Sequence, residues 1–205
     1  MPPPPPPSRA PARVVDVAAA ARALDDFLRA LGHDASVNRE LMGTGQRVAE
    51  AFAHEFCAGE GVDLDAVLRP HLLASAATGD NAGAAPARVL LRDVPLVTMC
   101  PHHLLPAEGV ANVAFQPGEH LIGIGAIAAV LETASRRLVL QEVLGGEVLG
   151  ALVRVLDPRW LVVHVRLAHA CMRLRGERAH GSELETWSTH GPVPDPIFTT
   201  LGGRS

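Results

Sequence analysis

The sequence has no lysine: all 18 of its basic residues are arginine, against 22 acidic residues, and the formal net charge is −4. No basic tract stands out, so nucleic acid is not an expected partner. Charged residues, glycine or histidine interrupt each apolar run before it reaches the length of a membrane-spanning helix. The proline-rich start lacks the basic and apolar segments of a signal peptide, so we expect a cytoplasmic protein without a membrane partner.

Cysteine is also scarce, and the three present, Cys57, Cys100 and Cys171, are an odd number. In a reducing compartment, metal binding or burial is expected for such residues more often than disulfide formation. Cys57 lies beside the apolar stripe of a predicted helix, so we interpret it as a core residue. Cys100 and Cys171 each lie close to histidines, which makes them candidate metal ligands.

The order of the predicted elements indicates an α+β fold, and 205 residues are enough for one well-packed core. Residues 1–13 are proline-rich and predict an extended, disordered tail, whereas residues 14–72 predict an N-terminal helical region. Residues 73–87 predict a linker or loop. Residues 88–191 predict the catalytic domain, with two strands, two helices and two strands in that order, and residues 192–205 predict an irregular tail.

Hydrophobic periodicity and turn residues set the approximate bounds of each element. We predict helices at about 14–31, 44–59, 126–138 and 141–156, and strands at about 89–99, 109–115, 160–172 and 182–189. Thr44 is the predicted N-cap of the second helix. Arg92, Asp93 and Pro95 interrupt the first strand, which predicts a bulge or bend.

The strongest chemical signal lies between the first two strands. Cys100 and His103 are three residues apart, and Pro101 between them favours a tight bend. A thiolate and an imidazole at this spacing can bind one metal ion, and Cys171 would provide a third protein ligand. Three protein ligands and an open fourth position are typical of catalytic zinc sites. His102 would then remain beside the metal, where an imidazole can transfer protons near neutral pH.

Strand alternation gives a second, independent signal. Val163, Val165 and Leu167 share one face of the last long predicted strand. His169 and Cys171 continue in the same phase, so both polar side chains are expected on the apolar face. Burial without partners would be unfavourable, which supports metal binding and leaves His169 as a second proton-transferring group. The alternative is an unrelated pair of buried cysteines with surface histidines, and two matching signals disfavour it.

These motifs resemble the signature blocks of the GTP cyclohydrolase I family. The blocks are Thr44-Gly-Gln-Arg-Val-Ala49, Cys100-Pro-His-His-Leu-Leu-Pro106, Gln141-Glu142 and His169-Ala-Cys-Met-Arg-Leu-Arg-Gly176. The resemblance implies a tunnelling fold (T-fold), with N-terminal helices, antiparallel strand pairs and two helices. It also implies a toroidal homo-oligomer, usually a decamer, with active sites at the subunit interfaces.

The implied activity is that of a cyclic amidine hydrolase acting on a guanine nucleotide. In this family zinc activates the water that attacks C8 of the purine, C8 leaves as formate, and the ribose carbons close a pterin ring. If GTP is the substrate, the product is dihydroneopterin triphosphate. The implied setting is pterin and tetrahydrofolate biosynthesis and one-carbon metabolism.

The resemblance also assigns roles to individual residues. The matching zinc ligands are Cys100, His103 and Cys171, and the matching proton-transferring residues are His102 and His169. The matching substrate-binding residues are Arg47, Gln141, Glu142 and Arg175. Glu142 matches a carboxylate that accepts hydrogen bonds from guanine, although the residues alone would favour a first-turn acid stabilised by the helix dipole.

The match is incomplete where the family binds triphosphate. Gly125, Ala126 and Ala129 stand where the family usually carries Ser, Lys and Arg. If each charge-assisted hydrogen bond contributes about 1.5–3 kcal/mol, their loss would weaken triphosphate binding by several kcal/mol. Arg136 and Arg137 are possible replacements. Two alternatives follow: a paralogue in specialised metabolism that acts on a purine or related heterocycle with fewer or no phosphates, and a catalytically weak pterin- or purine-binding regulatory protein.

Overall fold

The computed structural model describes residues 14–34, 36–74 and 88–202, which form two compact units that divide between Val62 and Asp63. The proline-rich residues 1–13 and most of the predicted linker, 75–87, lie outside the described residues. In the described ranges, no helix combines the length and the apolar character needed to cross a membrane.

The first unit begins with helix α1, Val17–Ala30, close to the predicted bounds. Asp16 caps this helix because its carboxylate accepts a hydrogen bond from the Ala19 N–H at 2.8 Å. Gly32 follows in the left-handed conformation, with φ of 86°, where a residue without Cβ is unstrained. The helix therefore ends where the sequence predicted.

Helix α2, Thr44–Ala51, packs closely against α1. Gly43 is its N-cap, so the prediction that Thr44 is the cap is wrong: Gly43 adopts φ of 73°, and Thr44 already belongs to the helix. A Cβ at Gly45 would lie 2.5 Å from the carbonyl oxygen of Ala21. Glycine at this position therefore allows the two backbones to approach.

A π-helical turn, Phe52–Phe56, extends α2 and ends at Cys57. The rings of Phe52 and Phe56 meet edge to face, with centroids 5.4 Å apart. Cys57 is only 3% exposed, so its interpretation as a core residue is confirmed.

An antiparallel four-stranded sheet, in the order β2-β3-β5-β6, forms the centre of the second unit. Two short strands, β1 and β4, pair with each other. The bounds are β1 Leu72–Ala74, β2 Val89–Met99, β3 Pro106–Gln116, β4 His120–Ile122, β5 Trp160–His169 and β6 Leu184–His190. The register of β2 on β3 shifts between Leu91 and Val94, which confirms the predicted bulge.

The helices of the second unit are α3 Leu64–Leu68, α4 Ile124–Ser135, α5 Gln141–Leu156, α6 Ala170–Arg173 and α7 Pro196–Gly202. Helix α5 has the predicted bounds, and its residues at helical spacing, Leu144, Val148 and Leu152, are fully buried. They pack in one cluster with Val163 and Val165 of β5. This cluster is the main core, and it fixes α5 on one face of the sheet.

The short strands β1 and β4 were not predicted, and two other segments differ from the predicted elements. Strand β5 ends at His169 and continues into α6, although the sequence predicted a strand to residue 172. Helix α7 forms within the segment predicted to be an irregular tail, because Leu201 finds apolar partners in Trp160 and Val162 on the second face of the sheet. The helix α7 arises from tertiary contacts that the local pattern does not contain.

Candidate metal centre

A tight turn between β2 and β3 positions Cys100 and His103. The Cys100 N–H donates to the carbonyl of Leu105 at 2.9 Å, and the Cys100 carbonyl accepts from the Leu104 N–H at 2.9 Å. Leu104 takes a left-handed conformation with φ of 51°, which is uncommon for a residue with a side chain. The turn places Sγ of Cys100 3.7 Å from Nδ1 of His103.

Cys171 reaches the same place from helix α6. The prediction that it continues the strand alternation of His169 is wrong, because the chain turns into a helix after His169. The ligand atoms of Cys100, His103 and Cys171 nevertheless all lie within 4.8 Å of one another. In tetrahedral zinc sites the ligand atoms lie about 3.5–3.8 Å apart, as follows from bond lengths of about 2.3 Å to sulfur and 2.0–2.1 Å to nitrogen. The three predicted ligands are therefore together and fit a metal ion after a small adjustment.

The thiol of Cys100 affects the ionisation of Cys171. Burial raises the pKa of Cys171, and the adjacent Cys100 thiol raises it further, while the charge of Arg175 acts in the opposite direction. Two thiolates at this separation need a cation to stabilise them. A divalent metal ion provides that charge, so the electrostatics agree with the donor set.

The three ligands line a cavity of about 230 Å³. His102, His169 and Glu142 line the same cavity. The rings of His102 and His103 have centroids 6.2 Å apart and planes inclined by 82°, so the two neighbouring imidazoles differ in orientation. The cavity therefore brings together the predicted ligands, both predicted proton-transferring histidines and the carboxylate predicted to bind guanine.

Gln141 holds His169 from inside the protein. The Gln141 side chain is 1% exposed, and its Nε2 donates to the carbonyls of Val165 and Leu184, both at 2.9 Å. Its Oε1 therefore faces Nε2 of His169, 2.8 Å away, and accepts that hydrogen. The sequence predicted Gln141 as a substrate contact, but its polar side-chain atoms are occupied by protein groups. No periodic or local signal in the sequence indicated this arrangement.

The tautomer of His169 follows from these contacts. A neutral imidazole that donates from Nε2 keeps its lone pair at Nδ1. Burial lowers the pKa of His169, while the nearby carboxylate of Glu142 acts in the opposite direction. The neutral form is thus favoured, and His169 can accept a proton at Nδ1.

The arginines predicted to bind phosphate lie in separate settings. Arg47 belongs to α2 in the first unit, where its guanidinium donates to the Met42 carbonyl and to Oγ1 of Thr44, both at 2.9 Å. Arg175 is exposed in the segment after α6. It is close enough to Cys171 for its charge to oppose the rise in the pKa of that thiol, so Arg175 acts electrostatically on one of the candidate ligands.

Arg136 and Arg137, which could replace the missing phosphate-binding residues, follow α4, and both pair with acidic side chains. Arg136 pairs with Glu132 at 2.6 Å on the surface. Arg137 is less exposed, pairs with Glu147, and also donates from Nε to the Ala134 carbonyl at 2.9 Å. These contacts use Nε and Nη2 of Arg137, so an anion that bound this guanidinium would meet the neighbouring charge of Glu147.

The comparisons with known proteins agree with this site. The family model for GTP cyclohydrolase I matches residues 20–196. The GTP cyclohydrolase 1 of Allorhizobium ampelinum is 34% identical over 187 residues, which cover 89% of both chains. That of Mycobacteroides abscessus is 35% identical over 180 residues, 87% of this chain and 83% of the relative. Among solved structures, the archaeosine synthase QueF-Like in the apo form aligns at 20% identity with a TM-score of 0.42, covering 54% of this chain and 100% of that chain.

The resemblance indicated by the signature blocks is thus confirmed over most of the chain, and the α+β architecture is that of the tunnelling fold. The chain belongs to the GTP cyclohydrolase I family and is an enzyme of that type.

Proposed function

We propose that this protein is a zinc-dependent hydrolase that opens the imidazole ring of a guanine nucleotide at C8, releases formate and forms a pterin. The observation that carries the proposal is the single cavity shared by Cys100, His103, Cys171, His102 and His169. If GTP is the substrate, the product is dihydroneopterin triphosphate. A cytoplasmic role in pterin and tetrahydrofolate biosynthesis belongs to the same proposal.

Zinc would be held by Sγ of Cys100, Nδ1 of His103 and Sγ of Cys171. Two thiolates and an imidazole suit zinc, whereas magnesium and calcium prefer oxygen ligands. An ion held there would act as a Lewis acid and would lower the pKa of a water molecule.

The remaining residues of the cavity bind the ring and move protons. Glu142 accepts hydrogen bonds from the N1–H and the 2-amino group of guanine, while His169 accepts a proton at Nδ1 because Gln141 holds its Nε2–H. His102 is the second proton-transferring group, since it lines the cavity without belonging to the cluster of candidate ligands.

The same proposal includes a homo-oligomer, a decamer by likeness to the family. Strands β2 and β6 each pair with only one neighbour among the described strands, so both edges of the sheet are open to another copy. Leu140, which lines the cavity, is 40% exposed, and Leu104 and Leu138, which follow and precede the lining residues His103 and Val139 in the sequence, are 52% and 41% exposed. A neighbouring subunit would cover such side chains.

A substrate with fewer phosphates is the second candidate. Ala126 and Ala129 at the start of α4 carry no charge, and both Arg136 and Arg137 are already paired with acids. Arg175 acts electrostatically on Cys171, one of the three candidate ligands. One guanidinium can form charge-assisted hydrogen bonds with a single phosphate group, whereas a triphosphate needs more cations.

The test is a substrate panel of GTP, GMP, guanosine and guanine, incubated with zinc-loaded protein. Formate release and pterin fluorescence are followed, with the Cys171→Ser variant as the control. Turnover that is fastest with GTP supports the first proposal, and turnover that is fastest with GMP or guanosine supports the second. Failure of all four compounds would refute both, and pterin binding without turnover would then favour a regulatory protein.

A further inference from the structure

A chain of polar groups crosses the sheet on the face opposite α5. His164 alternates with Val163 and Val165 of the main core, so its side chain lies on the other face, where it is 1% exposed. The Asp93 N–H, at the β2 bulge, donates to Oδ1 of Asn112 at 2.8 Å. Nδ2 of Asn112 lies 3.1 Å from Nδ1 of His164, and Nε2 of His164 lies 3.2 Å from Glu185.

This chain fixes the tautomer of His164. A backbone N–H can only donate, so the Asn112 atom that faces Asp93 is the oxygen, and the atom that faces His164 is the amide nitrogen. Nδ1 of His164 must then accept, and Nε2 must donate to the Glu185 carboxylate. The three hydrogen bonds of this chain can all form only while the imidazole of His164 is neutral. Four strands are thereby joined, β2 through Asp93, β3 through Asn112, β5 through His164 and β6 through Glu185.

A proton added to Nδ1 of His164 would place two donors face to face. The Asn112 amide can remove this conflict by turning over, which presents Oδ1 to the imidazolium and Nδ2 to Asp93. The conflict then moves to the Asp93 N–H, which loses its acceptor. Asp93 is exposed, so water can replace the lost bond. The turned-over arrangement is therefore accessible rather than prohibitive.

The surroundings of His164 set how readily it takes a proton. Burial lowers the pKa of His164 and is opposed by the hydrogen bond and charge of Glu185 on β6, while Arg166 on β5 lowers it further. Asn112 on β3 is neutral, and helix α7, which covers this face, carries no charged side chain. The ring of Trp187 stacks on the imidazole, with centroids 3.9 Å apart and planes inclined by 15°.

We propose that His164 is a proton-operated switch for the β2 bulge: its protonation in mild acid turns the Asn112 amide over and releases the Asp93 N–H. The bulge lies on the strand that ends at Met99, next to the first candidate metal ligand, Cys100. The switch concerns the sheet itself and does not depend on the proposed reaction.

The linkage has a definite sign. The unfolded chain binds this proton near the ordinary histidine pKa of about 6.5, whereas the folded chain binds it only at lower pH. Folding stability therefore falls as the pH drops from about 6.5 towards the lowered pKa of His164. Above about 6.5 both states are neutral at this residue, and it contributes no pH dependence.

His164→Gln is the matched variant, since a glutamine amide can accept from Asn112 and donate to Glu185 but does not titrate near neutral pH. His120→Gln is the control, because His120 is an exposed histidine on β4. Two readouts are compared between pH 7.5 and 5.5 in full-length protein. Tryptophan fluorescence reports the imidazolium stacked on Trp187, and hydrogen–deuterium exchange of residues 89–99 reports the bulge.

In the wild-type protein and in His120→Gln, fluorescence should fall with pH. Exchange of residues 89–99, corrected for its intrinsic pH dependence, should rise roughly 2–10-fold, as expected for one lost hydrogen bond. His164→Gln should show neither change. Asn112→Asp gives a second test, since a carboxylate can accept from both Asp93 and the imidazolium: His164 should titrate at higher pH while the bulge stays protected. A titration of tryptophan fluorescence without faster exchange of β2, or no titration between pH 7.5 and 5.5, would overturn the switch.

Discussion

Replacing Gln141 by leucine removes the hydrogen bonds that hold His169 without changing any of the three candidate metal ligands. Leucine has a similar size and stays apolar in a buried position, but it removes both Nε2 and Oε1. Nε2 donates to the carbonyls of Val165 and Leu184, and Oε1 accepts from Nε2 of His169. The substitution therefore leaves two buried acceptors without this donor and one imidazole N–H without an acceptor.

The expected effects follow from those contacts. A buried polar group left without its partner costs about 1–3 kcal/mol, so the loss of this donor to the two carbonyls should reduce the free energy of unfolding by roughly 2–6 kcal/mol. A well-placed general acid or base accelerates a reaction by about 10²–10⁴-fold. Without the hydrogen bond to Gln141, His169 should lose part of that acceleration, and kcat should fall roughly 10–100-fold. KM should change little, because the polar atoms of Gln141 are bonded to protein groups.

Gln116→Leu is the matched control. Gln116 is the last residue of β3, at the opposite end of the strand from Pro106. Its Oε1 accepts a hydrogen bond from Nε1 of Trp160 at 2.9 Å. This control should lose stability and keep kcat. Both variants are compared with the wild type by steady-state kinetics with GTP or the best substrate of the panel, thermal unfolding and zinc content. If Gln141→Leu keeps kcat within about twofold, or raises KM alone, the positioning role is refuted and a substrate contact takes its place.

Three further substitutions test the remaining roles. Cys171→Ser should lose zinc and activity together, as measured by elemental analysis and formate release; zinc retained at full occupancy would remove Cys171 from the ligand set. His102→Ala should keep zinc while turnover falls by about 10²–10⁴, since a proton-transferring group is lost. Loss of the metal in that variant would instead make His102 a ligand. Glu142→Ala should keep zinc and weaken purine binding roughly 10-fold or more, because a charge-assisted pair of hydrogen bonds is removed. An unchanged dissociation constant for guanosine, measured by calorimetry, would contradict the role of Glu142.

The sequence predicted those features that depend on local chemistry. The spacing of Cys100 and His103 around Pro101 indicated a turn with two convergent ligands, and the structure has their ligand atoms 3.7 Å apart. Helix α5 was predicted with its observed bounds because its apolar residues recur at helical spacing. Arg92 and Asp93 interrupt an apolar strand, and the bulge lies there.

The features that escaped prediction depend on contacts between distant residues. Gln141 finds its partners 24 and 43 residues further along the chain, at Val165 and Leu184, and no local pattern encodes such a network. Cys171 follows an apolar strand without any glycine or proline to mark its end, so strand alternation extended too far. For Gln141 and Cys171 alike, the sequence indicated a functional residue from its type. The position of the side chain depends on how distant parts of the chain pack together.

The metal centre owes its position to the register of the sheet. Met99 pairs with Pro106, and Ala107 pairs with His169. The end of β2, the start of β3 and the end of β5 therefore meet at the same end of the sheet. A one-residue shift of β3 along β5 would move the turn that carries Cys100 and His103 relative to the end of β5, where α6 and Cys171 begin, and so separate the ligands. Gly109 helps to hold the strands close, because a Cβ there would lie 2.1 Å from the carbonyl oxygen of Arg166. Ligands that are 71 positions apart in the sequence thus converge because the pairing of β3 with β5 permits only one alignment of their ends.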